Sequence, residues 1–238
     1  MKQTNSPLPP SRSAALTAIE QTLPLSGKPG QDLQAALDNV LRSLQDPRDR
    51  GLATELAYGF MRHKLRLEHL ARVHLAKPEH THAFVLRVCA LAAYELCFLD
   101  SVPPHATLSW AVEAVKARLG QAQANVTNAV LRKVQALGAE AREPGFYRRT
   151  TGRELEFLCV WHSCPAWLVK LWEGDYGQDR TLELLHAQTL PPLTGVRVNM
   201  ARPGAGDLFA RLEASPGRLV SLKPWLGFAP GRQEGLEG

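Results

Sequence analysis

Glycine and proline are spread so unevenly along this chain that they set its architecture. Between Leu52 and Leu137 only Gly59, Pro78, Pro103, Pro104 and Gly120 interrupt the sequence, whereas the 48 residues from Pro191 onward hold six prolines and eight glycines. Proline lacks the amide hydrogen that a helix interior needs, and glycine costs about 1 kcal/mol there relative to alanine. The first stretch is therefore expected to be helical, and the last to consist of turns and short strands. With 45% hydrophobic and 21% charged residues in 238, the chain can bury a core, and wholesale disorder is excluded.

Punctuation and apolar spacing place the helices. Residues 13–23 form a first amphipathic helix, and 32–44 a second, with Leu33, Leu37, Val40, Leu41 and Leu44 at helical spacing. Residues 48–75 read as one long helix or two short ones. Residues 84–99 are apolar almost all round, which marks a buried central helix. Helices at 106–119 and 125–137 follow, stopped by Gly120 and Gly138. Beyond them lies a polar connector with little to bury, then helices at 165–172 and 179–188. Val196-Arg197-Val198 alternates like a strand, 207–213 is helical, 218–222 suits a second strand, and no further element is expected after Gly227. The expected class is mainly α. It comprises a disordered N-terminus (1–12), an all-α bundle (13–138), a linker (139–153) and a helical to α+β connector (154–238). Two strands alone leave unpaired edges, so the α+β segment reads as incomplete, stopping in mid-domain.

The net charge is +5 with a pI near 9.2, and the excess belongs to residues 1–140, with 16 basic and 12 acidic side chains. Arg62, Arg66 and His69 recur at spacings of four and three, which would form one helical stripe flanked by Lys64 and Arg72. Lys116, Arg118, Arg132 and Lys133 add to it, and Arg12 opens the first helix. Such clusters suit contacts to nucleic-acid phosphates, and equally a solvated helix face. The glycine-rich, nucleophile-elbow and metalloprotease motifs of the common catalytic folds do not occur. Cys89 and Cys97 fall in an apolar stretch and read as core residues. Cys159, His162 and Cys164 lack a second ligand pair of zinc spacing, so no metal is expected. His80 and His82 read as a polar turn, and Trp167 and Trp172 as core anchors. The longest uncharged apolar run, 88–94, is bracketed by Arg87 and Glu95, and the N-terminus has no secretory apolar region. A cytoplasmic protein with no membrane contact is expected.

Asp49-Arg50-Gly51-Leu52-Ala53-Thr54-Glu55-Leu56-Ala57-Tyr58-Gly59-Phe60-Met61-Arg62 resembles the D-R-x-x-A-x-x-L-x-Y-G-x-x-R signature of NusB-like RNA-binding domains. It is most similar to the version at the front of the RsmB (Sun/Fmu) 16S rRNA cytosine-5 methyltransferases. Val102-Pro103-Pro104-His105-Ala106 and Asn128-Ala129-Val130-Leu131-Arg132 match two further family segments. Pro165-Ala166-Trp167-Leu168, Tyr176-Gly177, Pro191-Pro192 and Arg197-Val198-Asn199 follow in the family's order. Cys164 stands where the family usually has His, and Ser109-Trp110 replaces its common Asn-Glu.

The resemblance implies a NusB-like bundle that positions 16S rRNA, with Arg197 and Asn199 leading toward a cofactor domain and helping to hold the target strand. The complete family enzyme uses S-adenosylmethionine and two cysteines. None of the four cysteines here lies in the family's Pro-Cys or Thr-Cys context, so no catalytic residue and no cofactor are assigned to this chain. A monomer is expected. The other readings are a free-standing NusB-like antitermination factor acting with RNA and a protein, and a helical protein–protein scaffold.

Overall fold

The computed structural model describes residues 8–190, 194–196, 198–199, 201–214, 219–221 and 226–228. The chain divides into two units, Met1–Thr189 and Leu190–Gly238.

The first unit is helical: α1 (Pro10–Thr22), α2 (Leu33–Leu41), α3 (Pro47–Arg62), α4 (Lys64–Arg72), α5 (Ala83–Phe98), α6 (Pro104–Leu119), α7 (Gln121–Leu137), α8 (Pro144–Thr150), α9 (Glu154–Trp161) and α10 (Ala166–Thr189). Proline supplies the first residue of α1, α3, α6 and α8, where its missing amide hydrogen has no helical partner to lose. Asp32 and Asp46 cap α2 and α3 by accepting from Ala35 N (3.2 Å) and Arg48 N (2.8 Å). His82 Nδ1 does the same for Phe84 N at 3.1 Å, so the expected polar turn serves as the cap of α5.

α5 is the hub. It packs against α3, α4, α6 and α7, and it is buried from Phe84 to Cys97 on nearly every side. Burial pushes the thiols of Cys89 and Cys97 up to about 12 and about 11, which leaves them un-ionised core residues. The one carboxylate buried on α5 is Glu95, 1% exposed. Arg12 donates to it from Nε (2.9 Å) and Nη2 (3.3 Å), Thr107 from Oγ1 (2.7 Å) and Trp110 from Nε1 (3.1 Å). That knot ties α1 and α6 to α5. Gly59 lies against the Tyr94 ring so closely that an added Cβ would stand 2.0 Å from Cζ. The Tyr94 hydroxyl continues past it to donate to Glu55 Oε1 at 2.6 Å.

Of the two readings left open for residues 48–75, the two-helix one holds, with the break at His63 (φ −111°, ψ 17°). Two expectations are corrected. The stretch expected as a linker, 139–153, folds instead: a 3₁₀ turn (Gly138–Arg142) and α8 bury Ala141, Phe146 and Tyr147 against the core. The sequence of α8 shows three polar or charged residues and only two large apolar ones, and those two are enough to anchor a short helix of about two turns. Trp167, expected in the core, is 67% exposed, and Trp172 is half-buried. α10 packs through Val169, Thr181 and Leu185, and Trp167 lies about 200° round the helix from Val169. α10 is itself broken at Gly177, whose φ of 75° and ψ of 171° would strain any other residue.

In the second unit α11 spans Ala205–Glu213, and β1 (Thr194–Val196), β2 (Leu219–Ser221) and β3 (Leu226–Phe228) pair antiparallel in the order β1-β3-β2. Thr194 pairs with Phe228 and Val196 with Leu226, and the β2–β3 register shifts between Leu219 and Ser221. The first strand begins two residues before the expected Val196, and β3 falls at the edge of the segment where no element was expected. No described helix is long and apolar enough to cross a membrane.

Candidate nucleic-acid interface

Folding divides the sequence-selected cations into three groups. The first is enclosed. Arg12 is committed to Glu95, and its side chain is 13% exposed. Arg66, on α4, is 7% exposed and points inward. Its guanidinium carbon lies 3.8 Å from the Trp161 ring centroid, 4.9 Å from Tyr147 and 5.3 Å from Phe98. Its Nη2 donates to Ala141 O at 3.3 Å, while its backbone N donates to Ser163 Oγ at 3.1 Å. The stripe of Arg62, Arg66 and His69 therefore does not form. The break at His63 rotates α4, so Arg66 faces α8 and α9, and His69 Nε2 is bonded to Thr150 Oγ1 at 2.8 Å.

The second group reaches solvent but is paired. Lys64 meets Glu68 at 3.0 Å, Lys116 meets Glu113 at 3.5 Å, and Arg118 meets Glu20 at 2.6 Å while lying over the Phe84 ring at 4.1 Å. Arg87 stands within electrostatic reach of Glu20, Glu68 and Arg118; burial lowers its pKa and the two carboxylates oppose that. Charges of alternating sign thus run across α4, α5, α1 and α6. Each such pair is worth at most about 1 kcal/mol at the surface, so a phosphate could displace one only by replacing a similar interaction.

The third group has no carboxylate within 4.0 Å among the described residues: Arg62, Arg72, Arg132 and Lys133. Arg62 ends α3, half-exposed; Arg72 ends α4, exposed; Arg132 and Lys133 are exposed on α7. α4 and α7 are in contact, and Lys133 is close enough to His74 to help lower that imidazole's pKa. Asn199, in the second unit, is exposed, and its Oδ1 accepts from Ala201 N at 3.2 Å. Arg197 lies outside the described residues. The sequence reading passed over Arg48 and Tyr58, which share the outer face of α3 with Arg62. Their spacing of ten and four residues was the available signal.

Two imidazoles, His63 and His162, feel the charge of Arg66. His63 stacks on Phe98 (4.6 Å) and faces Tyr94 (6.1 Å), with Nδ1 buried and unpartnered among the described residues. Burial, reinforced by the charges of Arg66 and Arg62, lowers its pKa to about 4. Burial also lowers His69, His74 and His162. The native state thus holds these rings neutral, while the unfolded chain protonates them near 6.5. Stability is expected to be full above pH 6.5 and to fall as pH drops from 6.5 toward 4. Urea midpoints at pH 7.5 and 5 should show this, and His63→Gln should flatten the profile. An unchanged profile in the variant would remove His63 from the account.

Among the described residues no group of three His, Cys, Asp or Glu could hold a metal ion. Cys164 is fully buried, with its amide donating to Cys159 O at 3.0 Å. Trp110, at the position that departs from the family pattern, is buried and bonded to Glu95.

Comparison with known proteins adds to this geometry. A family profile described as "NusB family" matches residues 9–136. The chain is 29% identical over 179 residues to the probable ribosomal RNA small subunit methyltransferase B of Bacillus subtilis, covering 75% of this chain and 39% of that protein. It is 34% identical over 176 residues to the ribosomal RNA small subunit methyltransferase B of Thermus thermophilus, covering 74% and 39%. The chain thus spans about two fifths of the length of the curated relatives it matches. The crystal structure of PH0851 aligns with a TM-score of 0.55 at 16% identity, over 94% of this chain and 50% of that one, which is a likeness of fold.

Proposed function

Because the chain belongs to the NusB family, we propose that it is the RNA-binding N-terminal region of an RsmB-like rRNA cytosine-5 methyltransferase, acting in the cytoplasm as a monomer and positioning 16S rRNA. The observation that carries this reading is the reach of the likeness. Relatives named small subunit methyltransferase B match over 179 and 176 residues, while the family profile takes in only residues 9–136. A free-standing antitermination factor has no use for that additional segment. Within the reading, 13–138 is the RNA-binding domain, 139–153 is part of its packed body rather than a linker, and 154–238 leads as a small α+β segment toward the catalytic portion.

S-adenosylmethionine is the group that the family implies, and the described residues do not fit it. Among the described residues no G-x-G-x-x-G loop joins a strand to a helix, and the buried thiols of Cys89 and Cys97 are held un-ionised. No step of methyl transfer is therefore assigned to this chain.

RNA is held through Arg62, Arg72, Arg132 and Lys133, the unpaired members of the original set. Arg12 and Arg66 are set aside as enclosed, and Lys64, Lys116 and Arg118 as paired. Replacing the four by alanine should weaken RNA binding uniformly across sequences and lower the salt slope by about 3. Binding of the intact chain to 16S rRNA fragments in preference to boxA-type RNA would support the methyltransferase reading. The reverse preference would overturn it in favour of antitermination, and no RNA binding at low salt would leave a protein scaffold.

A further inference from the structure

The outer face of α3 carries a feature that the basic set above does not include. Arg48, Gly51, Glu55, Tyr58 and Arg62 recur at spacings of three and four and so share one side of the helix. The first four are exposed, and Arg62 is half-exposed. Tyr58 is 37% exposed, the one aromatic among the exposed large side chains on helices α1 to α9. Its hydroxyl donates to Gln34 Oε1 of α2 at 2.5 Å, and Gln34 Nε2 in turn donates to Asp38 Oδ1 at 2.8 Å. The ring is thus held in place before anything meets it, which reduces the ordering cost of a contact.

Charge frames the ring. Arg48 and Arg62 have no carboxylate within 4.0 Å among the described residues, and they stand fourteen residues apart, roughly 21 Å along the helix axis. Glu55 is the carboxylate on this stripe, and its Oε1 is already engaged by the Tyr94 hydroxyl at 2.6 Å. At Gly51 an added Cβ would meet nothing within 4 Å, so bare backbone is open to close approach about two turns before the ring on the same side of the helix.

Resting on the RNA-binding reading, we propose that this face of α3 binds single-stranded RNA, with an unpaired base stacked on Tyr58 and flanking phosphates on Arg48 and Arg62. A ring on a convex helix surface can stack only on a base free of its own neighbours, which a duplex does not offer. The two arginines at either end follow the backbone on both sides of that base. The face therefore selects strand state rather than base identity.

The test measures binding of the intact chain to a short uridine-rich strand and to a hairpin duplex of matched length, at several salt concentrations. Tyr58→Ala should weaken single-strand binding roughly tenfold and leave duplex binding unchanged. Tyr58→Phe keeps the ring but loses the Gln34 bond that holds it, so it should weaken single-strand binding by less than Tyr58→Ala does. Arg48→Ala should weaken single-strand binding and flatten its salt slope by about 0.7. Thermal midpoints would identify a misfolded variant, and Tyr58→Leu, which keeps bulk without a π face, should then lose the same affinity as Tyr58→Ala. Native affinity in Tyr58→Ala, or equal losses on strand and duplex, would overturn the proposal and leave the face to a protein partner. No binding of either RNA by the native chain would instead overturn the RNA-binding reading beneath it.

Discussion

Replacing Glu95 by alanine is expected to cost about 4 kcal/mol of folding stability, among the largest losses available from a single side chain in this molecule. Its carboxylate is buried between α1, α5 and α6, and it accepts from Arg12, Thr107 and Trp110 at 2.7–3.3 Å. Alanine would leave the largely enclosed Arg12 guanidinium uncompensated and the Trp110 and Thr107 donors unsatisfied, besides opening a cavity. Glu95→Gln keeps the shape but loses the charge and one of the two acceptor oxygens, and should cost about half as much. Removing both partners, Arg12→Ala with Glu95→Ala, should cost less than the two single losses together, because no charge is then stranded. Urea unfolding of the four variants against the native chain reads this directly. A loss below about 1 kcal/mol in Glu95→Ala would mean that water reaches the carboxylate and that the knot does not hold the helices.

Arg66→Ala should destabilise by about 3 kcal/mol while leaving the salt slope of RNA binding unchanged. The guanidinium fills the space between Trp161, Tyr147 and Phe98, three rings from three helices, and bonds to Ala141 O. Without it, α8 and α9 lose the group that joins them to α4 and α5. Arg66→Lys should recover only part of the loss, since an ammonium cannot lie flat against the indole. Faster hydrogen exchange across 141–163 should accompany the alanine variant. The opposite pattern, normal stability with a flattened salt slope, would return Arg66 to the RNA surface.

These two residues show why charge was the least legible property of the sequence. Arg62 and Arg66, four apart in a predicted helix, read as one solvated stripe. Yet the break at His63 sends Arg62 outward and Arg66 into an aromatic cage whose members come from residues 98, 147 and 161. No local pattern links those positions. Arg118 and Glu20, or Arg12 and Glu95, are likewise separated by 98 and 83 residues and meet only through packing. Trp167 failed for the same reason in reverse: its size suggested burial, but the face that α10 turns to α9 is set by Val169, Thr181 and Leu185.

What the amino-acid order determined alone was everything governed by neighbours within about one helical turn. The apolar spacing of α2, the stops at Gly120 and Gly138 and the all-apolar run of α5 were readable there, because backbone hydrogen bonding is local. The family signature was readable too, and its Tyr-Gly pair has a concrete basis in Gly59 admitting the Tyr94 ring. Tertiary structure alone decided which cations reach water, because burial and pairing depend on partners distant in sequence. Four of the nine basic residues first chosen on the helical unit kept both exposure and freedom from a carboxylate, and Tyr58 became a candidate contact only when Gln34 was seen to hold it in place.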